Sequence, residues 1–218
     1  MFLDKFYKNI KNITNHTIWD LLIIIKFDSL EHGYIWQALH RQGIQEKYIQ
    51  IIKNIYSKST AQVRLETIGE EFPIERGVRQ GDPISPKLFS AALEMIFRNL
   101  EWDMNAININ GVKLTHLRFA DDLILFSECP KTLEQQMLQQ LSDQSAIAGL
   151  SMNTNKTKIL TNGSQSYNIT VNKKQIEYVK YYIYIYLGQL IAATDTMPKE
   201  IDRRIANTWK FFGLLARL

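Results

Sequence analysis

Cysteine is nearly absent from this 218-residue sequence. Cys129 stands alone, so no disulfide can form within the chain and a reducing compartment is expected. Histidine is scarce as well. His16, His32, His40 and His116 have no Cys or His neighbours at zinc-binding spacing, which excludes the usual structural zinc sites. No apolar run is long enough to cross a bilayer. Leu21-Leu22-Ile23-Ile24-Ile25 is far too short, and the stretch from 181 to 193 is interrupted by Gly188 and Gln189. The N-terminal residues Met1-Phe2-Leu3-Asp4-Lys5 are mixed in character rather than basic then apolar, so no signal peptide is read there. An intracellular protein, nuclear or cytoplasmic, with no membrane partner is the expectation. The chain also has neither an internal repeat nor a Gly/Ser linker.

What is present is ordinary in bulk: 45% apolar and 22% charged residues, a net charge of +4 and a pI near 9.0. That is enough for a sizeable core in one medium domain or a large piece of a bigger one. The mild basicity permits a polyanionic partner without requiring one.

The periodicities predict an α+β chain. Residues 1–19, polar and rich in Asn and Lys, read as a poorly ordered lead-in. Trp19 to Phe27 reads as a buried strand. Leu30 to Tyr56 is helical, with Ile35, Leu39, Ile44, Tyr48, Ile51, Ile52 and Ile55 recurring at helical spacing and Gly43 dividing two helices. Residues 62–66 alternate like a strand, a turn follows at 69–71, and Phe72-Pro73-Ile74 is extended. The segment 77–86 is a structured loop, and Ser85-Pro86 opens a helix, with Ser85 as its N-cap, that runs to about Trp102. Asn110-Gly111 is the turn of a hairpin. Residues 131–147 form an amphipathic helix stopped by Gly149. Residues 152–161 are extended, 169–178 form a hairpin, 182–191 are strand, and 199–218 form a last helix with Ile201, Ile205, Trp209, Phe212 and Leu215 on one side.

One stretch stands out for its chemistry. In Leu117-Arg118-Phe119-Ala120-Asp121-Asp122-Leu123-Ile124-Leu125-Phe126, two adjacent carboxylates interrupt apolar strand residues. Paired charges in such surroundings are costly to desolvate unless something compensates them. A divalent cation is one remedy, since hard cations take carboxylate oxygens together with substrate phosphates. A reverse turn at 120–122 would set both carboxylates at a hairpin tip. A plain polar turn is the other reading. His116, close by, reads either as a metal ligand or as a strand histidine packing its ring.

Taken in order, these pieces resemble one family. Phe27-Asp28-Ser29, Arg76-Gly77-Val78-Arg79-Gln80-Gly81-Asp82-Pro83-Ile84-Ser85-Pro86 and Phe119-Ala120-Asp121-Asp122 are similar to motifs A, B and C of reverse transcriptases of non-LTR (LINE-type) retrotransposons. Gly149-Leu150-Ser151-Met152-Asn153 with Lys156 resembles motif D, and Tyr186-Leu187-Gly188 resembles motif E, the primer grip. The likeness runs from about residue 21 to the end. It implies a right-hand polymerase palm, a small antiparallel sheet backed by helices, over 20–192. It further implies the start of a helical thumb over 193–218, with the fingers largely missing. The chain is then expected to be part of a longer polyprotein.

The resemblance implies RNA-directed DNA synthesis from an RNA template, a DNA primer and dNTPs. Two Mg²⁺ ions, with Mn²⁺ as the alternative, would be held by Asp121 and Asp122. It gives Phe27 the role of excluding a ribose 2′-hydroxyl, although a lone Phe in an apolar strand is otherwise core. Arg76, Arg79, Gln80 and Gly81 would meet template or nucleotide. Lys156 would donate a proton to the leaving pyrophosphate, and a solvent-facing lysine is the plain alternative. Tyr186, Leu187 and Gly188 would support the primer. Lys199, Arg203, Arg204 and Lys210 either line the duplex groove or form a solvated helix face.

The sequence departs from the pattern at one point. The motif A metal ligand should lie six residues before Asp28, where Leu22 stands. Asp20 is two residues, about 6–7 Å of strand, too early. Loss of the ligand is the simpler account, and an insertion that restores Asp20 is the other. Two functional expectations therefore stand: an active polymerase domain, and an impaired remnant that keeps the fold and weak nucleic-acid affinity.

Overall fold

The computed structural model describes residues 19–24, 29–66, 68–102, 106–109, 111–119, 122–161, 167–179, 181–186, 189–192 and 196–215. In chain order the elements are β1 (Trp19–Ile24), α1 (His32–Arg41), α2 (Glu46–Ser57), β2 (Thr60–Arg64), β3 (Ile68–Pro73), α3 (Ser85–Arg98), β4 (Ile107–Ile109), β5 (Val112–Leu114), β6 (His116–Phe119) and β7 (Asp122–Ser127). There follow α4, a helix over 130–147 whose middle turns at Leu133–Leu138 are π-helical, then β8 (Lys158–Thr161), β9 (Thr170–Val171), β10 (Lys174–Gln175), β11 (Glu177–Tyr178), β12 (Tyr181–Tyr186), β13 (Gln189–Ala192) and α5 (Thr196–Leu215). The expected lead-in lies outside the described residues as far as residue 18.

Five strands form the central sheet in the order β11-β8-β1-β7-β6. β1 is its middle strand, antiparallel to β7 on one side and to β8 on the other. Its Leu- and Ile-rich run suits a strand flanked on both edges. β6 and β7 form an antiparallel hairpin, with Phe119 opposite Asp122. β11 joins the far edge parallel to β8, so the sheet is mixed rather than wholly antiparallel. Smaller hairpins are β2–β3, β4–β5, β9–β10 and β12–β13.

Helices α1, α3 and α4 close one core with Leu123, Leu125 and Ile159 of the sheet. α3 contributes more of it than any other described element. Leu88, Phe89, Ala91, Ala92, Leu93, Met95 and Ile96 are all buried, a wider apolar arc than a surface helix shows. Burying side chains of this size stabilises by about 1.5–3 kcal/mol each before entropy is counted.

Several boundaries differ from expectation, each for a local reason. β1 ends at Ile24 among the described residues. α3 begins at Ser85 as its first helical residue and not as its cap. Ile84 precedes it, and the Asp82 carboxylate accepts the Ile84 N–H at 3.0 Å. α3 stops at Arg98, and Trp102 instead folds back to stack edge-on against Phe97. On α2 the buried positions are Ile49 and Tyr56, while Tyr48, Ile51 and Ile55 are exposed, as is Ile44 just before the helix. The helix carries two apolar stripes, and only one can face α1. Residues 69–71 are strand, and the chain bends earlier, at 65–66. Within 152–161 only β8 is strand, after a turn at 154–156. The β9–β10 turn holds Asn172 and Lys173 at φ +49° and +64°, the left-handed pair a type I′ turn needs. α5 starts three residues earlier than the periodicity placed it. Among the described residues no helix is long and apolar enough to cross a membrane.

Candidate active site

The expected hairpin is built by β6 and β7. Asp122 opens β7, opposite Phe119 on β6 and Ile24 on β1. Residues 120–121, which join the two strands in sequence, lie outside the described residues, as does Phe27. One strand over, Leu22 pairs with Ile124 and Lys158, and Asp20 pairs with Phe126 and Leu160. The register thus sets Asp20 four residues, about 13 Å of strand, from the level of Asp122. It does not bring Asp20 to the position that Leu22 occupies.

The second expected site segment is the loop before α3. Its turns need Gly77 and Gly81, at φ +79° and +82°. A side chain at Gly81 would meet nothing within 4 Å, so the backbone there is open to approach. Gln80 beside it is exposed. Both arginines of this loop are held by the protein itself. Arg79 donates from Nη2 to the Ile55 carbonyl at 3.1 Å and to the Ser59 hydroxyl, and its guanidinium lies 5.6 Å from the Tyr56 ring. It thereby closes the C-terminal end of α2, where carbonyls lack helical partners and favour a cation. Arg76 pairs with Glu31 at 3.2 Å. Tyr56 lies edge-on to His32 and Trp36, with its hydroxyl 3.5 Å from Ser85 Oγ.

A second set of contacts fixes β6 to α3. Glu94 accepts from Arg98 Nε at 3.1 Å and from Arg118 Nη2. Arg118 lies 4.7 Å from the Phe97 ring, and Phe97 stacks on His116 at 4.8 Å. Burial of the imidazole, reinforced by the Arg118 guanidinium, lowers the His116 pKa to about 4. A ring kept neutral and stacked in this way answers the packing alternative for His116. For Glu94, burial raises the carboxyl, but its hydrogen bonds and charge contacts with the two arginines outweigh that and leave it below the usual range.

Of the remaining expected site residues, Lys156 is exposed in the turn at 154–156. Its N–H is held by the carbonyl and side-chain oxygens of Asn153 at 3.1 and 3.2 Å. Tyr186 ends β12 opposite Gln189, and Leu187 and Gly188 lie outside the described residues. On α5, Arg203 and Arg204 both donate to Glu200. Sequence reasoning missed Glu31, His32, Ser59, Tyr56 and Glu94. Most of their partners stand tens of residues away, and no local pattern marks them.

Among the described residues no group of His, Cys, Asp or Glu side chains is gathered as a ready metal site. The donor chemistry at the hairpin nevertheless suits a hard divalent cation: adjacent carboxylates, with no sulfur or imidazole required. The β1 positions nearest in register, Leu22 and Ile24, add no oxygen.

Comparison with known proteins bears on the fold and the family. Residues 8–189 match the family described as "Reverse transcriptase (RNA-dependent DNA polymerase)". The chain is 32% identical over 155 residues to the Pol polyprotein of the type-2 retrotransposable element R2DM of Drosophila melanogaster, covering 70% of this chain and 14% of that protein. It is 34% identical over 137 residues to an R2 Pol polyprotein of Popillia japonica, covering 60% and 19%. A telomerase of Candida tropicalis, solved with a fragment of telomeric RNA, superposes with a TM-score of 0.54 at 16% identity over 87% of this chain and 32% of that one. This likeness shows a shared polymerase fold. The chain spans less than a fifth of either retrotransposon polyprotein. On the family match over most of its length, and on its R2 relatives, the chain belongs to the reverse transcriptase family as a domain of the non-LTR retrotransposon type.

Proposed function

We propose that this chain is the palm, with the first thumb helix, of an enzyme that copies an RNA template into DNA. In that reaction the primer 3′-hydroxyl attacks the α-phosphorus of a dNTP, and pyrophosphate leaves. The observation that carries the proposal is the register of the hairpin. Asp122 stands at the sheet end where β6, β7 and β1 meet, with Asp121 next to it in sequence. Asp121 and Asp122 would hold two divalent cations, Mg²⁺ or Mn²⁺, which when bound neutralise charge on the reacting oxygens. Gln80 offers an amide donor and acceptor to nucleotide or template, and Gly81 leaves the backbone open beside it. Phe27 would exclude a 2′-hydroxyl, Lys156 would supply a proton to the leaving group, and Tyr186, Leu187 and Gly188 would carry the primer strand. Arg76 and Arg79 act chiefly by holding the loop. The remaining parts of the machine would come from a longer polyprotein, as in the R2 relatives.

A second reading, an impaired copy that keeps the fold and some nucleic-acid affinity, is favoured by one observation: Leu22 in the middle of β1. Losing one ligand from such a site should slow the reaction by several powers of ten. Primer extension on an RNA template with dNTPs and Mg²⁺ tests both readings. No detectable extension is expected from the chain alone. When the chain is carried in an R2-type polyprotein that supplies the remaining parts, extension is expected to rise with Leu22→Asp and to vanish in Leu22→Asp/Asp121→Ala. Extension that survives Asp121→Ala would overturn the assignment of the metal ligands. Equal extension by that polyprotein with and without Leu22→Asp would overturn the role given to Leu22.

A further inference from the structure

We infer that Glu31 is a positioning residue that fixes the 77–81 loop, and with it Gln80 and Gly81, against the end of the first motif. The inference rests on the reading of that loop as the nucleic-acid contact proposed above. Residues 29–31 are met from two sides. From the loop, the Gly77 N–H donates to the Leu30 carbonyl at 2.7 Å, and the Glu31 carboxylate reaches Arg76 Nη2 at 3.2 Å. Glu31 and Arg76 also form an isolated β-bridge. His32 Nε2 lies 2.9 Å from the Gly77 carbonyl. That oxygen can only accept, so the proton is on Nε2.

From the opposite side comes the turn after α4. The Glu31 N–H donates to the Ala148 carbonyl at 2.9 Å. Gly149 lies so close that a Cβ there would be 2.6 Å from Glu31 Cγ and 2.7 Å from the Ser29 carbonyl oxygen. The Glu31 carbonyl accepts from Tyr34 and Ile35 and so starts α1. Each polar group of Glu31 therefore ties down a different element: N–H to the 148–149 turn, carbonyl to α1, carboxylate to the loop.

The Arg76–Glu31 pair is well exposed, at 64% and 40% for the two side chains. Exposed pairs add little to global stability. What this pair supplies is placement. With Arg76 held at the start of the loop and Arg79 held on α2, Gln80 follows directly on a segment fastened at two points. Prepositioned contact groups bind better because less ordering remains to be done.

The test compares the parent chain with Glu31→Gln, Arg76→Gln and the charge swap Glu31→Arg/Arg76→Glu. Amide hydrogen exchange of 77–81 should quicken several-fold in each single variant and return toward the parent in the swap. Affinity for a fluorescent RNA–DNA primer–template duplex, read by anisotropy, should fall three- to tenfold in each single variant and recover in the swap. Recovery separates a tether from a direct Arg76–phosphate contact, because Glu at 76 would repel a phosphate. Unchanged exchange in the single variants overturns the tether, whatever the chain binds. Quickened exchange with unchanged duplex affinity overturns the positioning role. A parent chain without duplex affinity overturns the nucleic-acid reading itself, while the exchange data still decide the tether.

Discussion

His116 stacks nearly parallel on Phe97, with Trp102 edge-on beside it, and the pair sets a pH dependence. Its folded pKa of about 4 lies below the ordinary value of 6.5. Between those two values the unfolded chain binds more protons than the folded one, so stability is fully present above pH 6.5 and is lost as pH falls toward 4. Allowing for the solvent screening of a half-buried ring, the loss is about 1–2 kcal/mol. Thermal unfolding followed from pH 7 to pH 4.5 should show this fall, and His116→Phe should flatten it. Glu94 contributes with the same sign, but only in the more acid window below the ordinary carboxyl pKa. Two glycines provide a matched comparison at this scale. Gly81→Ala meets only the backbone cost of φ +82°, about 1 kcal/mol. Gly149→Ala adds contact with a backbone carbonyl and should cost about 3 kcal/mol, read from denaturant midpoints. The loop at 77–81 and the acid pair were each legible in the sequence, because the residue types and spacing that mark them are local to each stretch. The sequence did not show that Arg76 is held by Glu31 and Arg79 by the end of α2. Glu31 and Ser59 carry no local mark of a partnership 45 or 20 residues away.

At the scale of elements, β1 decides the site. The middle strand was legible from its apolar run, as were α1, α2, α3 and the β6–β7 hairpin, because helical and strand periods are written in adjacent residues. The sheet order was not legible, and neither was the parallel β11, since pairing between distant strands leaves no periodic trace. Which stripe of α2 is buried was not legible, because the exposed stripe is spaced as helically as the buried one. The register now makes a prediction for β1. Leu22 pairs on both sides, with Ile124 and with Lys158, and Ile124 is buried. A carboxylate placed there without a cation should cost about 2 kcal/mol in desolvation. Leu22→Asp should therefore unfold earlier than the parent in EDTA. Millimolar Mg²⁺ should recover part of the loss, because a ligand held only by the folded state stabilises it. Differential scanning calorimetry with and without Mg²⁺ reads this directly. Equal Mg²⁺ shifts in the two proteins would mean that position 22 does not face the cation site.

For the whole molecule, the distribution of apolar surface separates a core that carries the fold from faces that do not. Phe89 is buried in the cluster that joins α1, α3, α4 and the sheet, so Phe89→Ala should cost about 3–5 kcal/mol. α5 is the opposite case. Ile201, Ile205, Trp209 and Phe212 are 51%, 51%, 68% and 64% exposed, although their spacing is that of a buried stripe. Its periodicity is as strong as that of α3, and sequence pattern alone ranks the two helices alike. Only packing distinguishes them, because α3 is enclosed by α1 and α4 while α5 rests against β13. Substitutions on a solvated face shift stability by about 0.5 kcal/mol or less. Trp209→Glu/Phe212→Glu should therefore leave the unfolding midpoint nearly where it was. The same double variant should reduce binding of a hydrophobic dye and lower light scattering at high protein concentration, because a continuous exposed apolar stripe promotes association. A midpoint that falls by as much as in Phe89→Ala would show that α5 is part of the core in solution.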